Sequence, residues 1–270
     1  MRRGICGVVL CLLLAGAALV AIQGAAEVPA WSFAVVSDPH LTEDRPHDRT
    51  GVAKFRRVLD LARRQKPRPD FALILGDLHV SRLPEAVKGA RLPVRVLIGN
   101  HEQAADRKQL REMFAQDFQG KDFYAFEHKG SQFIMLCTAA PGDHVGHMES
   151  QFITPRVGQG EWLAEQLAQR SRFRHSFVCG HIPPEEQCRP NGMCLAQNAS
   201  RYLHSLVKKH RPTALFFGHR HIRVEFAIGG VPVYGCPSTN WNYGKHRAGF
   251  FFVKVLRDRA DVQFVTVPVK

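Results

Sequence analysis

The sequence predicts an α/β fold in which strands and helices alternate first and a β-rich region comes last. Short, dense apolar runs of strand length alternate with segments whose apolar residues recur at helical spacing. From Val224 onward the pattern is mainly that of β-structure. Because the apolar runs are continuous, we expect sheets that are covered on both faces. In such folds ligands gather at the carboxyl ends of the strands.

Five apolar runs predict single strands, and two further segments predict β-hairpins. The hairpins are centred on Lys129-Gly130 and on the glycine pair of FAIGGVPVYG. The single strands are expected within residues 31–38, 71–77, 94–100, 176–181 and 213–219.

Four segments have the apolar spacing of amphipathic helices. They cover residues 52–64, about 104–118, 161–170 and 200–210, and Ser200 is a candidate N-cap for the last of them. A long loop is expected over 183–198. Because no internal repeat, low-complexity linker or domain boundary interrupts residues 27–270, we expect them to form one domain.

The first 26 residues differ from the rest of the chain. Met1-Arg2-Arg3 is a short positive start, residues 4–22 are almost wholly apolar, and small residues follow at 24–26. This order predicts a signal peptide over 1–26, cut after Ala26, and therefore an exported protein, periplasmic or secreted. The alternative is an uncleaved membrane anchor, since the stretch is nearly long enough to span a bilayer. With cleavage, the membrane is contacted only transiently, through the leader.

Seven cysteines are present, two of them in the leader. Cys188 and Cys194 bracket the segment CRPNGMC, and in an oxidising compartment we interpret them as a local disulfide. The alternative, a zinc knuckle, is less favoured because no second Cys/His pair lies nearby at knuckle spacing. Cys137 and Cys179 lie in apolar runs and are expected to be buried thiols.

The chain is strongly basic, with a formal net charge of +13 that becomes +11 once Arg2 and Arg3 are removed. Such a surplus can serve nucleic acid or an anionic membrane surface. The Lys and Arg residues are scattered, however, and the densest run, 63–69, lies at a predicted helix end where the helix dipole favours cations. We therefore expect a general attraction for anionic substrates and no dedicated nucleic-acid groove.

Side chains that can bind metals end five separate apolar strands, and four of the five carry a glycine directly before the polar group. Glycine lets the backbone turn sharply and approach an ion closely. Any one of these ends alone is explained by a helix cap, a turn or a loop. Five in order favour one shared site. The residues are Asp38, His40, Asp77, Asn100, His101, Glu102, His181, His219 and His221.

The mixture of carboxylate, amide and imidazole suits first-row transition metals rather than calcium. So many converging ligands suggest two ions with one carboxylate shared between them. In an extended segment residues i and i+2 point the same way, so His219 and His221 could both reach the site, one to each ion. Arg220 would then point elsewhere, and we expect a surface ion pair there rather than a contact with substrate phosphate.

This set closely resembles the calcineurin-like metallophosphoesterase family, whose pattern is D-x-H, G-D, G-N-H-[DE], G-H and G-H-x-H. The pattern is matched from Asp38 to His221, which is most of the chain after the leader. The resemblance implies two packed mixed β-sheets flanked by helices, and a metal-dependent phosphoesterase. The segments VVSDPHL and GNHE are similar to compact single-domain members, which include cyclic-nucleotide phosphodiesterases. The segment GQGEWLAEQLAQ resembles the family's helix that carries Trp-Leu after a glycine.

By motif position, the resemblance implies ligands for two ions. The first ion would be held by Asp38, His40, Asp77 and His221. The second would be held by Asp77, Asn100, His181 and His219, so that Asp77 bridges. His101 would face the substrate as a catalytic residue without binding metal. Glu102 could orient His101 or could face another way, and His79 has no assigned role.

The chemistry implied by the resemblance is hydrolysis of phosphomonoesters or phosphodiesters by a hydroxide that bridges the two metals. His101 would give a proton to the leaving alkoxide. The related purple acid phosphatases carry a metal-binding Tyr three residues after the bridging Asp and lack the first histidine. Here those positions are Val80 and His40, so a ferric tyrosinate site is not expected. Mn, Fe and Zn all remain open.

A phosphate-ester small molecule or a nucleotide is the implied substrate. Substrate pockets in this fold are built from loops, and the candidate loops cover 41–50, 141–158 and 183–198. His144 and His147, in the second loop, either touch substrate or belong to a flexible polar loop. Two alternatives stay open: an exported hydrolase of lipid or cell-envelope phosphates, and a non-catalytic scaffold used for binding. Loss of metal ligands would favour the scaffold, and none is missing.

Overall fold

A five-stranded mixed sheet, sheet A, forms one layer of the protein in the computed structural model, which describes residues 30–41, 51–184 and 192–268. Its strands are β1 (Trp31–Val36), β2 (Ala72–Ile74), β3 (Val94–Val96), β10 (Gly249–Val255) and β11 (Ala260–Thr266). They lie in the order β11-β10-β1-β2-β3. Strands β1, β2 and β3, which extend from the centre of the sheet to one edge, are parallel, while β10 pairs antiparallel with both β1 and β11.

A six-stranded sheet, sheet B, forms the second layer. Its strands are β4 (Tyr124–His128), β5 (Ser131–Met135), β6 (His175–Cys179), β7 (Ala214–Phe217), β8 (Val224–Ile228) and β9 (Val231–Gly235). They lie in the order β4-β5-β6-β7-β9-β8, and β5, β6, β7 and β9 run parallel. The edge strands β4 and β8 belong to the two predicted hairpins, which are confirmed.

Six α-helices connect and cover the sheets within the described ranges. Leu163 and Leu203, from two of them, pack with the outer face of sheet B. Their bounds are α1 (Gly51–Arg63), α2 (Leu83–Val87), α3 (Ala104–Met113), α4 (Ala115–Phe118), α5 (Gln159–Ala168) and α6 (Gln197–His210). The helix predicted over 104–118 is divided at Phe114. The N-cap prediction for Ser200 was wrong, because α6 begins three residues earlier and the Ser200 hydroxyl donates to the Pro184 carbonyl.

Aromatic side chains fill the space between the two sheets. The ring of Phe33, on β1, lies 5.1 Å from the rings of both Phe133 and Phe177 on sheet B. Side chains alternate along each strand, so Phe216 packs in this central layer while Phe217 packs toward the helices. Burial on both faces explains the continuous apolar runs, and the predicted architecture of two mixed sheets flanked by helices is confirmed.

Cys137 and Cys179 are buried free thiols, as predicted, and burial raises the pKa of Cys137 to about 11. Cys188 lies outside the described residues, so its pairing with Cys194 stays a prediction. The leader and most of the loop at 41–50 also lie outside them. Among the described residues, no helix combines the length and the apolar character needed to cross a bilayer.

Candidate metal centre

The carboxyl ends of parallel strands from both sheets meet at one place, as the sequence predicts. Asp38 and Asp77 follow strands of sheet A, whereas His181 and His219 follow strands of sheet B. Hydrogen bonds join these ends across the gap between the sheets. The His219 amide donates to the Asp38 carboxylate at 3.0 Å, and His181 Nδ1 lies 2.6 Å from the Leu75 carbonyl oxygen. The site is therefore a junction of the two layers.

The predicted ligands of the first ion form one buried cluster. One ligand atom from each of Asp38, His40, Asp77 and His221 lies within 4.8 Å of all the others. The two imidazole Nε2 atoms of His40 and His221 are 3.0 Å apart, and His221 Nε2 is 3.2 Å from Asp38 Oδ1. Donor atoms bound to one transition-metal ion at about 2.0–2.2 Å lie roughly 3.0–3.6 Å from one another, so this cluster fits an ion.

The predicted ligands of the second ion form an adjacent cluster. Ligand atoms of Asp77, His181 and His219 lie within 4.8 Å of one another, and all three residues are buried. Asn100 joins them, because its Oδ1 is 3.0 Å from His181 Nε2. This group offers one carboxylate, one amide oxygen and two imidazoles, a set that suits a first-row transition metal.

Asp77 belongs to both clusters, and its two carboxylate oxygens face different histidines. Oδ1 lies 3.3 Å from His181 Nε2, and Oδ2 lies 3.6 Å from His40 Nε2. Oδ1 also accepts the backbone N–H of His101 at 3.1 Å. The carboxylate is thus positioned so that it could bind an ion on either side, which is the arrangement a shared ligand requires.

Three of the imidazoles are oriented by carbonyl oxygens that contact the ring nitrogen facing away from the acidic cluster. His221 Nδ1 is 2.9 Å from the Trp241 oxygen, and His219 Nε2 is 3.2 Å from the His144 oxygen. The carbonyl of Leu75 does the same for His181. Because a carbonyl can only accept, each contacted nitrogen carries a proton, and the other nitrogen is the one that faces the acidic cluster and could bind a metal.

The electrostatics of the cluster suit cations. Burial disfavours an ionised Asp77, yet the charge and hydrogen bond of His181 hold its pKa well below the usual range. Burial alone would lower the pKa of His181, but the charge of Asp77 raises it to about 10. Burial lowers the pKa of His40 to about 4 and that of His219 to about 3, which keeps both imidazoles neutral. Ionised Asp77 and neutral His40 and His219 are in the donor states that metals require, whereas His181 would release a proton on binding one.

The backbone is strained where it carries these ligands. Of the ten non-glycine residues with positive φ in the described ranges, six belong to the strand ends of the site. Left-handed backbone costs on the order of 1 kcal/mol or more for a residue with a Cβ, and such strain concentrates at functional sites. The six are Asp38 (φ 49°), His40 (39°), Asp77 (57°), His79 (56°), His219 (68°) and His221 (51°).

His101 lies at the rim of the clusters. About half of its side chain is exposed, and its Nε2 is 3.9 Å from Asp77 Oδ2. Its ring meets that of His40 edge-on at 4.9 Å, and half-buried His79 completes a group of three histidines that extends from buried His40 to exposed His101. This position leaves the His101 side chain accessible from solvent.

Glu102 is buried beneath the site, where it fastens two strand-end loops together. Its carboxylate accepts the backbone N–H groups of Leu78 at 2.7 Å, Gly99 at 2.6 Å and Asp77 at 3.0 Å. Burial and the charge of Asp77 raise the pKa of Glu102 to about 7, while the N–H donors favour its ionised form. Glu102 therefore positions the backbone of Asp77, a role different from the orientation of His101.

Residues 238–242, which follow β9, support the site from beneath and were not among the residues predicted from the sequence. Asn240 Nδ2 donates to the His40 carbonyl at 3.0 Å, and Ser238 Oγ donates to the Asp38 carbonyl at 2.7 Å. Polar residues after the apolar run VPVYG were the available signal, the same signal that revealed the other five strand ends. Within the loop at 141–158, His144 supplies its carbonyl, whereas His147 pairs with Asp143 at 3.3 Å.

Arg107, also missed, is a buried guanidinium on α3 that ties loops together. It donates to the Glu102 carbonyl at 3.0 Å and to the Ala139 carbonyl at 2.7 Å, and it lies 3.7 Å from the buried carboxylate of Asp122. These bonds hold the strand end that carries Asn100 and His101. In the sequence of a helix with many charged residues, a buried arginine cannot be distinguished from an exposed one.

Fold and site together define a class: a two-sheet α/β protein with clustered metal-type ligands where the sheets meet. The family model described as calcineurin-like phosphoesterase matches residues 32–223, more than half of the sequence. The chain belongs to the calcineurin-like phosphoesterase family. A search of curated protein sequences gave no significant match.

Solved structures share this fold at low sequence identity. A dimetal phosphatase from Danio rerio superposes with a TM-score of 0.66 at 18% identity, covering 88% of this chain and 96% of that one. GAP50, described as the anchor in the inner membrane complex of Plasmodium, gives 0.59 at 15%, covering 87% and 84%. The purple acid phosphatase PPD1 from yellow lupin, Lupinus luteus, gives 0.59 at 13%, covering 87% and 51%.

Proposed function

We propose that this protein is a metal-dependent phosphoesterase that hydrolyses phosphomonoesters or phosphodiesters at a dinuclear centre. The position of Asp77 carries the proposal, because one carboxylate lies in both ligand clusters. Bound there, two Mn, Fe or Zn ions would acidify a water and neutralise phosphate oxygens. The ligands would be Asp38, His40, Asp77, Asn100, His181, His219 and His221.

The roles of the chain's own residues follow from their placement. The buried carboxylates and imidazoles bind the ions, and Glu102 and Arg107 hold the loops that carry them. His101, on the exposed rim, donates a proton to the leaving oxygen of the ester. The small-molecule ester or nucleotide approaches from the exposed His101 side, and the positive net charge of the chain attracts anions in general.

Removal and return of metal test the proposal on an aryl phosphate and an aryl phosphodiester. We expect chelation followed by dialysis to abolish hydrolysis, and Mn, Fe or Zn to restore it in proportion to the metal bound. Metal analysis of the active preparation should approach two ions per chain. Full activity in protein free of transition metals would refute the proposal.

A non-catalytic binding scaffold is the alternative. The similarity of fold to GAP50, an anchor by description, shows why the alternative needs a test. The retention of every predicted ligand favours catalysis, because a scaffold has no need of a buried, strained set of metal ligands. Protein that binds two ions yet hydrolyses neither ester would favour the scaffold.

We also propose that the protein is exported, which would permit the alternative of lipid or cell-envelope phosphates as substrates. The support is the sequence of residues 1–26, with its basic start, apolar stretch and small-residue end. Sequencing the amino terminus of the protein recovered from its native compartment tests this proposal. Cytosolic protein that begins at Met1 would contradict it. The predicted Cys188–Cys194 disulfide would then also lose its support, because it depends on an oxidising compartment.

A further inference from the structure

A pocket of about 520 Å³ adjoins the metal centre. It lies between α1, the connection from β9 to β10, and the residues that follow β11. A volume of this size is typical of small-molecule sites. The family match ends at residue 223, so the residues between 239 and 268 that line the pocket lie outside the matched region.

The pocket is lined by cations. Lys54, Arg57 and Arg247 line it, together with His246, and none of the eleven described lining residues carries a carboxylate. Grouped guanidinium and ammonium groups bind phosphate oxygens strongly, because each Arg offers two parallel N–H donors to one group. A ligand with a positive charge would be repelled from the same surface.

Two residues form a wall that the pocket shares with the metal centre. Trp241 lines the pocket, its ring lies 4.0 Å from the ring of His221, and its carbonyl orients that histidine. Asn240 accepts from Lys54 Nζ at 3.2 Å and donates to the His40 carbonyl at 3.0 Å. One layer of side chains therefore separates the cationic lining from two predicted metal ligands.

We propose that this pocket binds a second phosphate group, located in the part of the substrate that is not cleaved. The inference rests on the proposed function, because it places one phosphate at the metal centre and another beyond Trp241. Substrates that carry two phosphates are therefore preferred over monophosphates with the same scissile end. Salt weakens the preference, since the contacts lie at a partly exposed surface.

The preference is measured as a ratio of kcat/KM values for an alkanediol bisphosphate and the matching alkyl phosphate, over a series of chain lengths. We expect kcat/KM for the best bisphosphate to be about tenfold higher than for the monophosphate. This factor is counted after correction for the two equivalent ends of the bisphosphate, which by themselves double its kcat/KM. Arg57→Gln and Arg247→Gln should each lower this ratio severalfold. Arg174→Gln is the charge-matched control, because exposed Arg174 directly precedes β6 and so lies at the opposite end of that strand from the site.

Binding of pyrophosphate to metal-free protein, followed by calorimetry, tests the pocket without catalysis. We expect Arg57→Gln and Arg247→Gln to weaken binding severalfold and Arg174→Gln to leave it unchanged. Equal binding of pyrophosphate by all variants, or an unchanged ratio of kcat/KM values, would overturn the proposal.

Failure of this proposal can be distinguished from failure of the proposed function. If the metal-loaded protein hydrolyses neither the bisphosphate nor the monophosphate, the proposed function fails, and the pyrophosphate titration still decides whether the pocket binds a phosphate group. A third outcome would assign the pocket to a lipid headgroup instead. The protein would then sediment with anionic phospholipid vesicles, both arginine substitutions would abolish this binding, and no preference for bisphosphates would be seen.

Discussion

At the scale of the residue, Asp77 combines strained backbone with a shared position between two clusters. Its φ of 57° lies in the left-handed region, which Asn and Asp adopt more readily than other residues with a Cβ. Asp77→Asn therefore removes the negative charge with little change in backbone energy. Asparagine cannot supply the ionised oxygens that both clusters use.

We predict that Asp77→Asn loses metal from both positions and lowers kcat by about a thousandfold or more, because a shared ligand supports each ion. Metal analysis and steady-state kinetics measure the two effects. Asp70→Asn is the matched control: Asp70 lies before β2, where Asp77 lies after it, and pairs with Lys129. Two bound metals in Asp77→Asn would show that the bridge assignment is wrong.

We predict that His101→Asn lowers kcat about a hundredfold for alkyl phosphates and much less for nitrophenyl phosphates. A nitrophenolate leaves without a proton, whereas an alkoxide needs one. Metal content should stay unchanged, because His101 is on the exposed rim of the clusters. An equal loss with both leaving groups would indicate a role in binding, and unchanged turnover would remove the assignment as a proton donor.

At the scale of the element, the site depends on tight turns after short strands. Gly76 ends the turn after β2 with a φ of 85°, and a Cβ built there would lie 2.7 Å from the Gly99 backbone and 2.8 Å from His181 Nδ1. The turns that follow β2 and β3 therefore approach each other more closely than side chains permit. Glycine is required here for space as well as for its backbone conformation.

We predict that Gly76→Ala destabilises the protein by about 2–4 kcal/mol and weakens metal binding, because the added carbon separates two loops that carry ligands. Chemical denaturation and metal titration measure these changes. Gly89→Ala is the control, since Gly89 also has a positive φ, 76°, but a Cβ there meets nothing within 4 Å. It should cost only about 1 kcal/mol and leave metal binding intact. Equal effects of the two substitutions would refute the role of close approach.

At the scale of the whole molecule, the candidate metal centre lies where the two sheets meet, at the end opposite Trp31. Each cluster takes ligands from both sheets, so ions bound there would crosslink the layers. Without ions, the buried carboxylates are compensated by backbone N–H donors and by protons on histidines such as His181. The folded state is then less stable relative to the unfolded chain, which binds ions weakly.

We predict that chelation lowers the Tm by about 10 °C, because two ions at a hundredfold excess over their Kd contribute roughly 5 kcal/mol. Differential scanning calorimetry of metal-loaded and metal-free protein measures the shift. In the Asp77→Asn variant the chelator should change the Tm little, because that variant is expected to have lost its metal already. A Tm that is the same with and without chelator in the unsubstituted protein would contradict this account.

Strand order along the chain and the candidate ligand residues at strand ends could be predicted from the sequence, because both depend on local patterns. Continuous apolar runs signal burial on two faces, as Phe216 and Phe217 show by packing on opposite sides of β7. A polar residue directly after such a run must leave the core at the end of a strand. Asp38, Asp77 and His181 were found in this way.

Only the tertiary structure decided which ring nitrogen faces which carboxylate oxygen at the site, and which residues support the candidate ligands. Glu102 bonds to backbone N–H groups up to 25 positions earlier, and Trp241 orients His221 from another strand end. The cationic pocket is assembled from residues as far apart as Lys54 and Pro268. Such contacts depend on how separate elements pack in space, and hydrogen-bond partners distant along the chain leave no periodic trace in the sequence.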